Sequence, residues 1–203
     1  MESPRYPKTG LVLLAAGAST RLGKPKQNLL YEGKTLLQRA IHTANRSLCT
    51  RVIVVLSANT SGALPDDLSK SIFSVQNEAW EEGMASSIRC GLEKVLAVEP
   101  EVESCMFMVC DQPFVEEQLL HEMMLAKQQS GKGIVASAYA ETLGTPVLFD
   151  RKYFKELLSL QGQEGAKKII MRHRIDAVPI SFPLGTIDID TVEDYASLIR
   201  GGQ

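Results

Sequence analysis

The segment 14–26 reads LAAGASTRLGKPK and follows directly on an apolar run, Leu11-Val12-Leu13-Leu14. It holds two glycines, two hydroxyls and three cations, the composition of a polyphosphate cradle. Gly17 and Gly23 give the backbone freedom to turn its N–H groups onto an anion, and Arg21, Lys24 and Lys26 can neutralise it. The segment is not a P-loop, because Gly17 and Gly23 are too far apart and Lys24 precedes a proline rather than a hydroxyl. It is not a dinucleotide fingerprint either, because the middle glycine is missing. Pro25 biases Lys24 away from helical dihedrals, so the chain here can lie extended along a ligand. A glycine-bearing turn with solvated cations is the plainer alternative; three cations in so short a stretch weigh against it.

Two carboxylate sites can complete that chemistry. Cys105-Met-Phe-Met-Val-Cys110 is uniformly apolar, as in a strand buried on both faces, and it stops at Asp111-Gln112-Pro113. A carboxylate there can hold Mg2+, a hard ion that takes carboxylate and phosphate oxygens and keeps several waters. Asp111 can equally cap a helix near Val115 or serve the turn before Pro113. Further on, in Ile187-Asp188-Ile189-Asp190-Thr191, an extended backbone turns Asp188 and Asp190 to one side and the isoleucines to the other. Two such carboxylates repel unless a cation lies near them. Capping competes again, with Asp190 or Thr191 ahead of a helix and Glu193 or Asp194 closing a capping box.

Two further segments carry weaker signals. In Asn77-Glu78-Ala79-Trp80-Glu81-Glu82-Gly83-Met84-Ala85-Ser86-Ser87, Gly83, Ser86 and Ser87 can offer N–H and hydroxyl groups to a base or ribose at a helix start. Trp80 is sufficiently explained as a packing plug. Gly162-Gln163-Glu164-Gly165-Ala166-Lys167-Lys168 can bring two lysines to a second phosphate, or be a solvated helix start.

These residues need a scaffold. Short β-branched runs alternate with segments of helical period, the pattern of an α/β domain around a mostly parallel sheet. Strands are predicted at 11–16, 52–57, 72–76, 105–110, 133–138, 146–149 and 177–180, and helices at about 35–47, 65–69, 85–98, 115–130, 152–160, 165–173 and 192–200. In such sheets ligands sit beyond the carboxyl ends of the strands. The 14–26 loop, Asp111, a predicted Gly144-Thr145-Pro146 turn and Asp188/Asp190 all follow strands and can share one crevice.

At 203 residues one domain, 1–203, is expected. A net charge of −2, from 22 basic and 24 acidic residues, supplies no global field for nucleic acid or an anionic membrane, so neither is an expected partner. No apolar run is long enough to cross a bilayer, and MESPRYPKTG lacks a signal-peptide core, which predicts a cytoplasmic protein. Cys49, Cys90, Cys105 and Cys110 lack CxxC spacing and are read as free thiols. His42, His121 and His173 lie far apart in predicted helices and are read as surface or packing residues.

Together the motifs resemble the MobA-like nucleotidyltransferase superfamily, and within it the molybdenum cofactor cytidylyltransferase branch. Residues 14–26 match the signature LAAG-x-S-x-R-x-G-x-x-K. Asn77, Trp80, Gly83-Met84, Ser86-Ser87, Asp111-Gln112-Pro113, Gly144-x-Pro146-x-Leu148-Phe149 and Asp188-x-Asp190-Thr191 follow in the order of the branch. The resemblance implies a three-layer, Rossmann-like α/β fold. It implies that Leu14, Ala15, Ala16 and Gly17 lie at the nucleotide, with Gly83, Ser86 and Ser87, and that Arg21 and Lys26 hold the phosphates. Asp111 and Asp190, or Asp188 in its stead, would ligate Mg2+. The branch reads LAAG where cytidine is used and LAGG where guanosine is used, so Ala16 points to CTP. One departure falls where relatives often read G-D-x-G-A-R: this chain has Gly162-Gln163-Glu164-Gly165-Ala166-Lys167, which loses a planar bidentate phosphate contact.

The activity implied is attack by a molybdopterin phosphate on the α-phosphorus of CTP, with release of pyrophosphate. An anionic phosphate needs no general base, in keeping with the scattered histidines. A recipient molybdoenzyme or its chaperone is an expected transient partner. Alternatives are guanylyl transfer, a sugar or alditol phosphate acceptor, and a non-catalytic nucleotide-binding cofactor chaperone; the three aspartates favour an enzyme.

Overall fold

The computed structural model describes residues 7–17, 25–57 and 71–201. Arg21, Gly23, Lys24 and the helix expected at 65–69 lie outside them.

The architecture is a seven-stranded, mostly parallel sheet with helices on both faces. Strands β1 (Thr9–Ala15), β4 (Arg51–Ser57), β5 (Ile72–Asn77), β6 (Ser104–Val109), β7 (Ile134–Tyr139), β8 (Thr142–Asp150) and β9 (Ala177–Ser181) lie in the order β5-β4-β1-β6-β8-β7-β9. Only β8 runs antiparallel to its neighbours, β6 and β7. β1 is buried throughout because both its faces are covered. Val12, Leu14 and Ala16 pack with α2 (Met84–Val98), and Leu11, Leu13 and Ala15 pack in the opposite layer with α1 (Leu36–Arg46) and α3 (Glu117–Ser130). Gly91 on α2 lets that helix close on the sheet, since a Cβ there would come within 2.9 Å of Val55 Cγ2.

The chain passes from β1 outward to β4 and β5, then returns to β1's other side as β6. Crevices open at such reversals, beyond the carboxyl ends of the strands. Ala16 and Gly17 follow β1 at this point, and Asp111 follows β6.

Several expectations are corrected. The predicted Gly144-Thr145-Pro146 turn is part of β8. The β7–β8 register passes from Ala136↔Val147 to Ser137↔Gly144, so Thr145 and Pro146 occupy a bulge, and pairing with β6 ends at Val147. The proline's missing N–H therefore interrupts no ladder bond. The Thr145–Pro146 peptide is cis. The predicted 152–160 helix is a 3-10 turn, Arg151–Tyr153, followed by α4 (Phe154–Leu157), and the helix expected at 165–173 is the shorter α5 (Ala166–Arg172). The helix expected from 115 begins at Glu117.

An unforeseen hairpin, β2 (Leu30–Tyr31) with β3 (Lys34–Thr35), turns on Glu32 and Gly33, both with positive φ. It has its own small core of Leu29, Tyr31 and Leu36 with Ile189 and Leu198, the last on α6 (Val192–Gly201). No helix among the described residues is long and apolar enough to cross a membrane.

Candidate functional site

That small core makes the site. Leu29 and Ile189 are both almost fully buried in it, so Lys26 and Asp190 are brought together although 164 residues separate them. The N–H of Ile189 donates to the carbonyl of Asp111 at 3.2 Å, fastening the segment to the end of β6. Ile189 faces inward and Asp188 and Asp190 face out, the alternation expected of an extended stretch, although no strand forms. Thr191 and Asp194 cap α6: Asp194 N donates to Thr191 Oγ1 at 3.1 Å, and Thr191 N to Asp194 Oδ2 at 2.8 Å. Asp190 is thus relieved of the capping role. Asp111 does not cap α3, whose first turn follows Glu116.

The Lys26 ammonium donates to Asp190 Oδ1 at 2.9 Å and also to Asp111 Oδ2. Both Lys26 and Asp111 side chains are only 15% exposed, against 45% for Asp190. Burial by itself would lower the ammonium's pKa. The charges and hydrogen bonds of Asp111 and Asp190 more than offset it, so Lys26 holds its proton more tightly than usual. Asp188 is pushed up to about 6 by partial desolvation and by the charges of Asp111 and Asp190, against a hydrogen bond with Gln112 and the charge of Lys26.

Asp111 and Asp190 converge on one cation. The second oxygen of Asp111, Oδ1, is buried with no hydrogen-bond donor among the described residues. Such an orphaned acceptor costs about 1–3 kcal/mol, which a ligand can recover. No group of three or more His, Cys, Asp or Glu among the described residues forms a metal cage. The donors present suit Mg2+, which is commonly held by one or two carboxylates together with substrate phosphates.

Beside this cluster opens a cleft of about 400 Å³. Leu14, Ala16, Val109, Trp80 and Met84 give it apolar walls, and Gly17, Lys26, Asp111, Gly83, Ser87 and Gln163 also line it. Ala15 points into the opposite layer of the core. Ser86 is buried behind the wall, donating to the carbonyl of Gly83 at 2.8 Å and accepting from Asn77 Nδ2, which also donates to Ser87 Oγ at 3.0 Å. Gly83 adopts φ 125°, and a Cβ there would meet the Gly162 carbonyl at 2.6 Å.

Trp80, explained from sequence as a packing plug, and Gln163, in the segment read as a second phosphate contact or a solvated helix start, both line the cleft. Gln112 was missed as an organiser. It is buried, donates to the Gly185 carbonyl at 3.1 Å and accepts from Thr145 Oγ1 at 3.1 Å. Lys168 pairs with Glu164, while Lys167 is exposed. None of the three histidines lines the cleft, and burial pushes the Cys110 thiol in its wall up to about 12, leaving it inert.

An apolar-walled cleft at the topological reversal of an α/β sheet, with a cation and carboxylates at its mouth, is the arrangement of a Rossmann-like nucleotide-handling fold. The chain matches the MobA-like NTP transferase domain over residues 11–178 and belongs to that nucleotidyltransferase family. It is 27% identical over 200 residues to nicotine blue oxidoreductase from Paenarthrobacter nicotinovorans, covering 93% of this chain and 95% of that protein. It is 26% identical, with the same coverage, to purine catabolism protein PucB from Bacillus subtilis (strain 168). The crystal structure of Rv0371c from Mycobacterium tuberculosis H37Rv superposes with a TM-score of 0.78 at 28% identity, covering 97% of this chain and 99% of that one. The same protein has been solved in complex with manganese, with a TM-score of 0.72, 27% identity, and 95% and 97% coverage.

Proposed function

We propose that the chain, as one domain of residues 1–203, transfers the cytidylyl group of CTP to the phosphate of a molybdopterin-type acceptor and releases pyrophosphate. The observation that carries this reading is the convergence of Lys26, Asp111 and Asp190 beside an apolar-walled cleft at the ends of β1 and β6. The manganese complex of the Rv0371c relative supports a divalent metal, and Asp111 and Asp190 fit Mg2+ with Asp188 beside them.

In this reading the base lies between Leu14, Ala16 and Trp80, and Gly83 and Ser87 meet it or the ribose. The Ala16 methyl leaves room for cytosine and crowds a purine. Ser86 then acts from behind, holding the Gly83 turn. The Gly17 backbone, Lys26 and Arg21 take the phosphates. Mg2+ on Asp111 and Asp190 would neutralise charge on the phosphate oxygens. An acceptor phosphate oxygen bonds to the α-phosphorus, the bond from that phosphorus to the bridging oxygen of the β-phosphate breaks, and its electron pair leaves with pyrophosphate. No proton must be removed from the attacking group, so positioning and charge neutralisation suffice. A cytoplasmic location and a transient contact with a recipient molybdoenzyme or its chaperone go with this reading.

A second reading comes from the relative named nicotine blue oxidoreductase: a redox activity in the same cleft. Pyrophosphate release with CTP, GTP, ATP and UTP, with and without molybdopterin, together with oxidation of NADH by a dye acceptor, separates the readings. Release that needs both CTP and molybdopterin is expected. Release with a purine nucleotide, or with a sugar or alditol phosphate as acceptor, would move the protein to another transferase specificity. NADH oxidation without any release would favour the redox reading, and nucleotide binding without turnover a cofactor chaperone.

A further inference from the structure

The Lys26 ammonium lies between the two carboxylates that the proposed function assigns to metal. Asp111 and Asp190 therefore already have a cation, supplied by the protein, and Asp111 presents its other oxygen to a buried space without a donor. A metal arriving alone must compete with that ammonium or settle for the remaining oxygens. Phosphate oxygens brought close to Asp111, Asp188 and Asp190 are repelled by these carboxylates, whatever cations of the 14–26 segment attract them. Metal is disfavoured while the ammonium stays, and phosphates remove that obstacle. Phosphate oxygens give Lys26 a new anionic partner and free the carboxylates, and the metal occupying those carboxylates cancels the repulsion of the phosphates.

We propose that Lys26 is a placeholder cation that couples the two ligands: it holds Asp111 and Asp190 until nucleotide phosphates draw it away, so that divalent metal and nucleotide bind as a pair. The inference rests on the reading of this cleft as a metal-dependent nucleotide site, and it adds that one side chain serves both ligands in alternation. Its thermodynamic signature is a positive coupling, equal in both directions by linkage. A phosphate-binding lysine that kept its carboxylate contacts with nucleotide bound would attract the phosphates and yet free no oxygen for the metal, so its removal would not abolish a nucleotide-induced gain in metal affinity.

That difference supplies the test. Mn2+ binding is measured by electron paramagnetic resonance on the full chain, with and without CTP and with no acceptor present, for the parent protein, Lys26→Met and Lys26→Arg. Lys26→Met is expected to bind Mn2+ alone about tenfold more tightly or better than the parent, because two carboxylates lose their competitor, and to lose most of the CTP-induced gain in Mn2+ affinity. Lys26→Arg keeps a bridging cation and is expected to remain weak for Mn2+ alone. Should Lys26→Met not fold, Lys26→Gln makes the same comparison. Equal or weaker Mn2+ binding in the neutral variant overturns the proposal, as does a parent protein whose Mn2+ affinity is unchanged by CTP. Failure of the transfer reaction itself would leave the comparison of Mn2+ alone intact, so the two claims fall separately.

Discussion

Lys26, Asp111 and Asp190 are each ordinary by type, and their chemistry comes from being mutually close, with Lys26 and Asp111 largely shielded from water. Lys26→Ala and Asp111→Ala are each expected to lower turnover by about a hundredfold or more with the circular dichroism spectrum kept, as removal of a single charge-stabilising group does elsewhere. Steady-state turnover near that of the parent in either variant would contradict the assignment. Asp188 behaves differently. Its carboxyl titrates at about 6 in the fold against an ordinary 3.8. The folded state therefore binds its proton more tightly than the unfolded one, so stability falls as pH rises through that window, and the loss is complete above it. Asp188→Asn should raise the melting temperature of the metal-free protein at about pH 7.5 and leave it nearly unchanged below about pH 4. A lower melting temperature at the higher pH would show that the carboxylate is not under repulsion. At this scale Asp111 and Lys26 were legible because a carboxylate closing an apolar strand and a lysine after a glycine loop are local signals. Gln112 was not, because its partners at Gly185 and Thr145 lie 73 and 33 residues further along the chain.

Elements decide which of these residues can meet. The hairpin β2–β3 is built of two-residue strands, too short for periodicity to reveal, yet its core seats Ile189 beside Leu29 and so delivers Asp190 to Lys26. Tyr195 Oη reinforces this by donating to the Leu30 carbonyl at 2.8 Å. β8 was misread because Gly-Thr-Pro normally punctuates a chain; the bulge opposite Ala136 and Ser137 accommodates it within the strand. β1, β4 and β6 were legible because strands covered on both faces are apolar without interruption. The α2 start was legible too, but not its clamp to the far loop, where Ala85 N donates to the Gly162 carbonyl at 3.1 Å. Gly83 makes that approach possible. Gly83→Ala meets both an unfavourable φ and the Gly162 carbonyl, and should cost about 1–3 kcal/mol in chemical denaturation. It should also weaken CTP binding, since the turn lines the cleft. A fully stable variant with parental CTP affinity would refute this account of the turn.

For the whole molecule, a nearly balanced charge leaves anion capture to one place, and the sheet determines where that place is. A mostly parallel sheet with ligands beyond its strand ends was inferable from alternating strands and helices; the strand order that puts the reversal between β1 and β6 was not. Base and acceptor are less legible than the reaction class. They depend on cleft walls such as Trp80 and Gln163 that come from loops distant in sequence, and on a late loop where Lys167 stands in place of the expected arginine. The central claim is that a nucleotidyl group is transferred, and following the α-phosphorus tests it most directly. With α-labelled CTP, Mg2+ and molybdopterin, the label is expected in a cytidylylated pterin, with one pyrophosphate released for each label transferred. Label that stays in CTP, or appears only as free CMP while molybdopterin is recovered unchanged, would contradict the account.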